Sequence, residues 1–246
     1  MQNQLAQHTR VCAYDRAGFG WSEAVSTPRD PVTIVGELHT LLSEAGVQPP
    51  YTMVGHSYGA ILARVYAAQY PQEVTGLALV DSYTVDLVEQ SELDNTALPY
   101  YAATASLWVM QRLGVTRLIL PGEVQAMGYP PEIVPEMVAL RARNQTLDTD
   151  IGEKGLSAYL ALARASVAAG EMGDLPVAVL WASDSYASYD REAMLEVAAY
   201  SANSATYVVE GANHGSILGN EQHARQVSDA ILNVIEAAET GEPLAQ

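Results

Sequence analysis

Cysteine occurs once in this 246-residue chain, at Cys12, which excludes an internal disulfide. Its apolar neighbours Val11 and Ala13 predict a buried structural thiol inside a strand. Also missing is any run of about eighteen apolar residues, the length a membrane-spanning helix needs. The opening Met1-Gln2-Asn3-Gln4-Leu5 has neither the basic nor the apolar region of a secretory signal, so a cytoplasmic location is expected. Positive charge is scarce: Lys154 is the sole lysine, and twelve basic residues face twenty-nine acidic ones, for a formal charge of −17. Such a balance gives no long-range attraction to phosphate backbones or anionic lipid, so neither nucleic acid nor a membrane is an expected partner. No metal-ligand spacing and no phosphate-cradling glycine loop appears, so no metal and no cofactor are implied. Internal repeats and low-complexity tracts are absent as well.

What the chain does have is apolar content: 49% hydrophobic residues suffice for one large core, with or without an insertion. Residues 1–9 read as the tail of a helix, and Arg10 to Tyr14 as a short strand. Asp30 and Pro31 begin a helix with Ile34, Leu38, Leu41, Leu42 and Ala45 on one face, closed by Gly46. Tyr51 to Val54, Gly76 to Asp81, Pro176 to Trp181 and Thr206 to Glu210 read as strands. A last amphipathic helix is expected from about Glu221 to Ala238, with Val227, Ile231, Val234 and Ile235 as its stripe. Strands alternating with helices predict an α/β fold with a doubly wound, mostly parallel sheet of about five strands. Between Asp86 and Asp174 this alternation gives way to helical pieces, roughly Pro99 to Leu113, Ile133 to Asn144 and Gly155 to Ala169. Breaks are expected at Pro121-Gly122 and Tyr129-Pro130-Pro131. An insertion at that point lies where ligands bind in open α/β sheets, so it reads as a helical cap.

The chain is organised around Gly55-His56-Ser57-Tyr58-Gly59, which joins the Tyr51 strand to the alanine-rich run Ala60 to Gln69 that Pro71 stops. A G-x-S-x-G turn between strand and helix holds its central serine out into solvent, which makes Ser57 the candidate nucleophile. Glycine on both flanks is expected because a Cβ there would clash.

Three segments, Asp15-Arg16-Ala17-Gly18-Phe19-Gly20-Trp21-Ser22, Gly55 to Gly59 and Glu210-Gly211-Ala212-Asn213-His214-Gly215, occur in an order that resembles the α/β-hydrolases, specifically the capped epoxide-hydrolase and haloperoxidase-like type. The resemblance implies a core of residues 1–85 and 175–246 with a cap over 86–174. It implies His214 as the base, and a carboxylate behind it, either Asp184 at the family's commoner position, which is favoured, or Asp81 at the alternative one. A serine at the elbow argues against carboxylate-nucleophile epoxide hydrolase or dehalogenase chemistry. A carboxylesterase-type serine hydrolase acting on a small-molecule ester is therefore expected; the alternative is a non-catalytic ligand-binding or truncated relative with little turnover. Relatives carry two or three strands before the position of Val11 and draw one oxyanion N–H from the loop after the last of them. Here Tyr58 N–H is one expected donor, and Ala17 or Gly18 is a candidate second if the Val11 strand moves in beside the Ser57 strand. His56, Tyr83, Tyr100, Tyr101 and Trp108 are expected around the substrate, with Met110 and Met127 nearby. An unpaired strand edge would also favour self-association, most simply a homodimer.

Overall fold

Four of the apolar runs pair side by side. In the computed structural model, which describes residues 1–24, 29–82, 97–154, 170–184 and 191–244, β1 (Tyr51–His56), β2 (Val74–Val80), β3 (Val177–Ala182) and β4 (Ser204–Val209) form a parallel sheet in the order β1-β2-β3-β4. Register aligns Gly55 with Leu79 and Val80 with Leu180, so the strands end together on one edge.

Side chains alternate across a strand, and the alternation divides the core into two layers. Leu77, Leu79, Val177 and Val179 face α2 (Pro31–Glu44) and α3 (Tyr58–Gln69); Ala78, Val80, Ala178 and Leu180 face the carboxyl-terminal helix and α1 (Gln2–Leu5). Both layers being covered, β2 and β3 are buried almost throughout, which is why they read as continuous apolar runs. α2 starts where Asp30 accepts a hydrogen bond from Thr33 N at 3.0 Å.

Between β2 and β3 lie α4 (Ala97–Arg112), α5 (Thr116–Ala126), α6 (Val134–Arg141) and α7 (Asn144–Lys154). The break expected at Pro121-Gly122 does not occur; Pro121 sits inside α5. The helix expected over Gly155 to Ala169 lies outside the described residues. After β3 come α8 (Arg191–Ala199), then α9 (Ser216–Gly219) and α10 (Glu221–Thr240), whose buried stripe includes Val227, Ile231 and Val234.

One expected strand is missing. Among the described residues Arg10 to Tyr14 has no ladder partner, so the described sheet has four strands rather than five, and β1 is its edge. Strand-forming residues become a strand only when a neighbouring backbone takes their N–H and C=O groups, and here Cys12 and Tyr14 are exposed instead. Cys12 is accordingly a surface thiol, not a buried one. Among the described residues, no helix is long and apolar enough to cross a membrane.

Candidate active site

The turn after β1 places Ser57 at the carboxyl edge of the sheet. Its backbone adopts φ 56°, ψ −124°, a region L-residues rarely occupy, and its N–H donates to Val80 O at 2.9 Å, tying the turn to the end of β2. Gly55 permits the turn: a Cβ there would lie 2.2 Å from Gly59 O and 2.5 Å from Ala60 N, both backbone atoms. Gly59 has nothing within 4 Å of an added Cβ, so the steric requirement expected of both glycines belongs to Gly55 alone. As the first residue of α3, Tyr58 has an amide for which the helix supplies no acceptor, and that amide follows Ser57 directly.

β2 is followed directly by Asp81, among the described residues the other non-glycine residue with positive φ, at 44°. Aspartate tolerates this left-handed conformation better than most residues. Its buried carboxylate is held on both oxygens: Oδ1 accepts from Ala182 N at 3.0 Å, and Oδ2 accepts from His214 Nδ1 at 2.6 Å. The acid facing His214 is therefore Asp81, not the favoured Asp184. Asp184 is exposed, follows β3, and accepts from Ser183 Oγ at 3.0 Å, while its own N–H donates to Ala212 O.

His214 sits on a loop that Asn213 organises. Asn213 Oδ1 accepts from Gly215 N (3.1 Å) and Ser216 N (2.9 Å), and Ser216 Oγ accepts from Asn213 N (2.9 Å). Asn213-His214-Gly215-Ser216 carries the local sequence signal of such an Asx turn, an asparagine that bonds the backbone two and three residues on. A second support comes from His56, whose Nε2 donates to His214 O at 3.0 Å; the two rings lie 4.5 Å apart. Burial, with His214 close by, pushes His56 down to about 4, so this imidazole is neutral at pH 7, and the carbonyl it faces fixes its proton on Nε2.

The helical insertion reaches this edge at two points. At the end of α5, Met127 packs on the His214 loop: a Cβ on Gly215 would lie 2.6 Å from Met127 Cγ, and one on Gly219 would lie 2.2 Å from Met127 O. From α7, Glu153 is only 2% exposed and bridges two arginines, Arg16 Nη2 at 2.7 Å and Arg29 Nη2 at 3.5 Å, and Arg29 continues to Glu37 of α2 at 2.8 Å. Arg16 in turn lies 5.5 Å from the Tyr58 ring centre and 4.7 Å from that of Phe19. Nothing in the local sequence marks Glu153, because its partners are distant along the chain.

The Arg16 to Ser22 loop thus lies beside Tyr58, although the strand pairing on which that placement was conditional is not formed among the described residues. Gly18 N–H donates to Glu23 O (2.8 Å) and Phe19 N–H to Arg16 O (2.9 Å), so Gly18 is occupied inside its own turn rather than aimed at Ser57. Ala17 is half-buried in that same turn. Trp108, on α4, is 41% exposed, its Nε1 donates to Asp148, and the Arg112 guanidinium covers its ring at 3.5 Å. Tyr100 and Tyr101 belong to α4, and Tyr83 lies outside the described residues.

A family model described as the alpha/beta hydrolase fold matches residues 1–221, and this chain belongs to that family. An AB hydrolase superfamily protein of Gibberella zeae is 42% identical over 86 residues, 33% of this chain and 27% of that protein. The (lyso)-N-acylphosphatidylethanolamine lipase of Mus musculus is 33% identical over 85 residues, 33% of this chain and 25% of that protein. Both of these curated matches span under a third of the relative's length. Among solved structures, a proposed epoxide hydrolase of Pseudomonas aeruginosa aligns with a TM-score of 0.67 at 18% identity, covering 92% of this chain and 78% of that one, which is a likeness of fold.

Proposed function

We propose that this chain is a serine hydrolase that cleaves carboxylic esters through an acyl-enzyme on Ser57, with His214 as base, Asp81 as the acid behind it and Tyr58 N–H as an oxyanion donor. The observation that carries the reading is the 2.6 Å bond from His214 Nδ1 to the buried Asp81 carboxylate, one strand from the Ser57 turn. That bond keeps the imidazole proton on Nδ1, which leaves Nε2 as the basic nitrogen. Nε2 takes the proton of Ser57 Oγ as the oxygen bonds to the ester carbonyl carbon. The tetrahedral intermediate collapses when the same proton passes to the departing alcohol oxygen. Water then repeats the sequence on the acyl-enzyme, releasing the acid and returning the proton to Ser57. Negative charge on the intermediate is met by Tyr58 N–H at the positive end of the α3 dipole.

A serine at position 57 favours acyl transfer over chemistry that needs a carboxylate nucleophile. The name of the mouse relative, a lipase, agrees with an ester substrate. The helices between β2 and β3 act in this reading as the cap, with Met127 against the His214 loop.

Hydrolysis of 4-nitrophenyl butyrate tests the assignment, together with labelling by a fluorophosphonate that esterifies an activated serine. Wild-type protein is expected to turn over and to carry one label on Ser57, and Ser57→Ala to lose both. Equal turnover by Ser57→Ala overturns the nucleophile assignment. Absence of both turnover and label in folded wild-type protein returns the chain to the non-catalytic binding class.

A further inference from the structure

We propose that His56, Asp81 and His214 together bind one divalent transition-metal ion of the Zn2+ type, and that filling this site switches the hydrolase off. One ring nitrogen of each histidine and one Asp81 oxygen lie within 4.8 Å of one another. Two imidazoles and a carboxylate form a borderline-soft donor set that suits Zn2+ or Cu2+ rather than Mg2+ or Ca2+, which take oxygen ligands. Three protein ligands with a fourth position open to solvent is a common zinc arrangement.

The distances are within reach of small side-chain movements. Zinc–ligand bonds of about 2.0–2.2 Å in a tetrahedron set the ligand atoms roughly 3.3–3.6 Å apart. The His214–Asp81 pair stands at 2.6 Å and must open slightly, while the third donor, within 4.8 Å of the others, closes by at most about 1.5 Å. Both histidines are partly exposed at the carboxyl edge of the sheet. The surrounding bonds already orient the ligands as outer contacts do in metal sites, with Ala182 N on Asp81 Oδ1 and the His214 carbonyl on His56 Nε2. A formal charge of −17 raises the local concentration of cations.

The inhibitory consequence rests on the proposed function; the binding does not. Metal on His214 Nδ1 displaces the shared proton to Nε2, and metal on Nε2 occupies the base directly. In either case no lone pair remains on the imidazole to accept the Ser57 proton, and no net proton need be released. His56 is what separates this site from an ordinary triad, because its ring supplies the third ligand.

The test uses chelator-stripped full chain titrated with Co2+, followed by its visible absorption, and with Zn2+ in calorimetry. Expected are one equivalent of metal, a tetrahedral Co2+ spectrum and displacement of Co2+ by Zn2+. Removing a ligand, in His56→Gln or His214→Gln, weakens Zn2+ binding by at least about tenfold. Ser57→Ala, which removes no ligand, leaves binding intact, so the result does not depend on activity. Unchanged affinity in the folded histidine variants, or no binding by the wild type, overturns the proposal. If esters are hydrolysed and zinc inhibits His56→Gln as strongly as wild type, the metal site is refuted while the hydrolase assignment stands. If metal binds but no ester is turned over, the site stands and the hydrolase assignment fails.

Discussion

Asp81→Asn is the most discriminating perturbation of the proposed triad. Asparagine has the shape of aspartate and also tolerates the φ of 44° at this position, so the turn after β2 survives the change. Its amide oxygen still accepts from Ala182 N, the bond now made by Oδ1. That places the NH2 group where Oδ2 meets His214, and an NH2 cannot accept the Nδ1 proton. The imidazole responds by moving its proton to Nε2, which turns the base into a donor facing Ser57. In a serine triad an acid-to-amide change of this kind lowers kcat by about 10⁴, equivalent to roughly 5.4 kcal/mol of transition-state stabilisation. Stopped-time hydrolysis of 4-nitrophenyl butyrate, run beside a thermal melt, reads both quantities: kcat falls by that order while Tm moves little. Asp184→Asn, on an exposed residue bonded to Ser183, keeps kcat within about tenfold, less than 1.4 kcal/mol. A loss of several orders in Asp184→Asn together with near-normal turnover in Asp81→Asn would refute the reasoning and return the acid to the loop after β3.

Gly55→Ala forces a Cβ to 2.2 Å from Gly59 O and is expected to cost about 1–3 kcal/mol or more, several degrees in Tm. Gly59→Ala enters open space and changes stability by less than about 1 kcal/mol; equal effects in calorimetry would contradict the geometry. Glu153→Gln leaves two arginines beside a neutral side chain in a mostly buried site, where removal of one ionic partner costs roughly 3–5 kcal/mol. Hydrogen exchange is expected to speed up first in residues 144–154 and in the Arg16 loop, and uniform exchange across the chain would argue against a local tie. In metal-free buffer, stability declines as pH falls below about 6.5 toward about 4, because the unfolded chain protonates His56 before the folded chain does; burial and the neighbouring His214 lower the pKa of His56, and Asp81 opposes them. His56→Gln flattens that part of the Tm–pH curve, and an unchanged curve would remove His56 as the cause.

The linear order of residues determined a great deal here. Apolar runs of strand length, separated by caps and glycines, sufficed for the parallel sheet and its covering helices, because burial on both faces demands such runs whatever their neighbours. Gly55-His56-Ser57 was legible because the sharp turn needs a glycine two residues before the serine, where a Cβ would strike the backbone of Gly59 and Ala60, a purely local condition. Pairing was not local, and so Arg10 to Tyr14 had strand composition without a strand. The two aspartates Asp81 and Asp184 each follow an apolar strand and look equivalent along the chain. Only the turn at φ 44° and the bond from Ala182 N aim Asp81 at His214 and leave Asp184 at the surface. The same holds for Glu153, whose buried carboxylate meets residues 137 and 124 positions away, and for the gathering of His56, Asp81 and His214 into one cluster. Contacts of that range depend on how the strand ends align in three dimensions, a property of the assembled sheet rather than of any stretch of sequence.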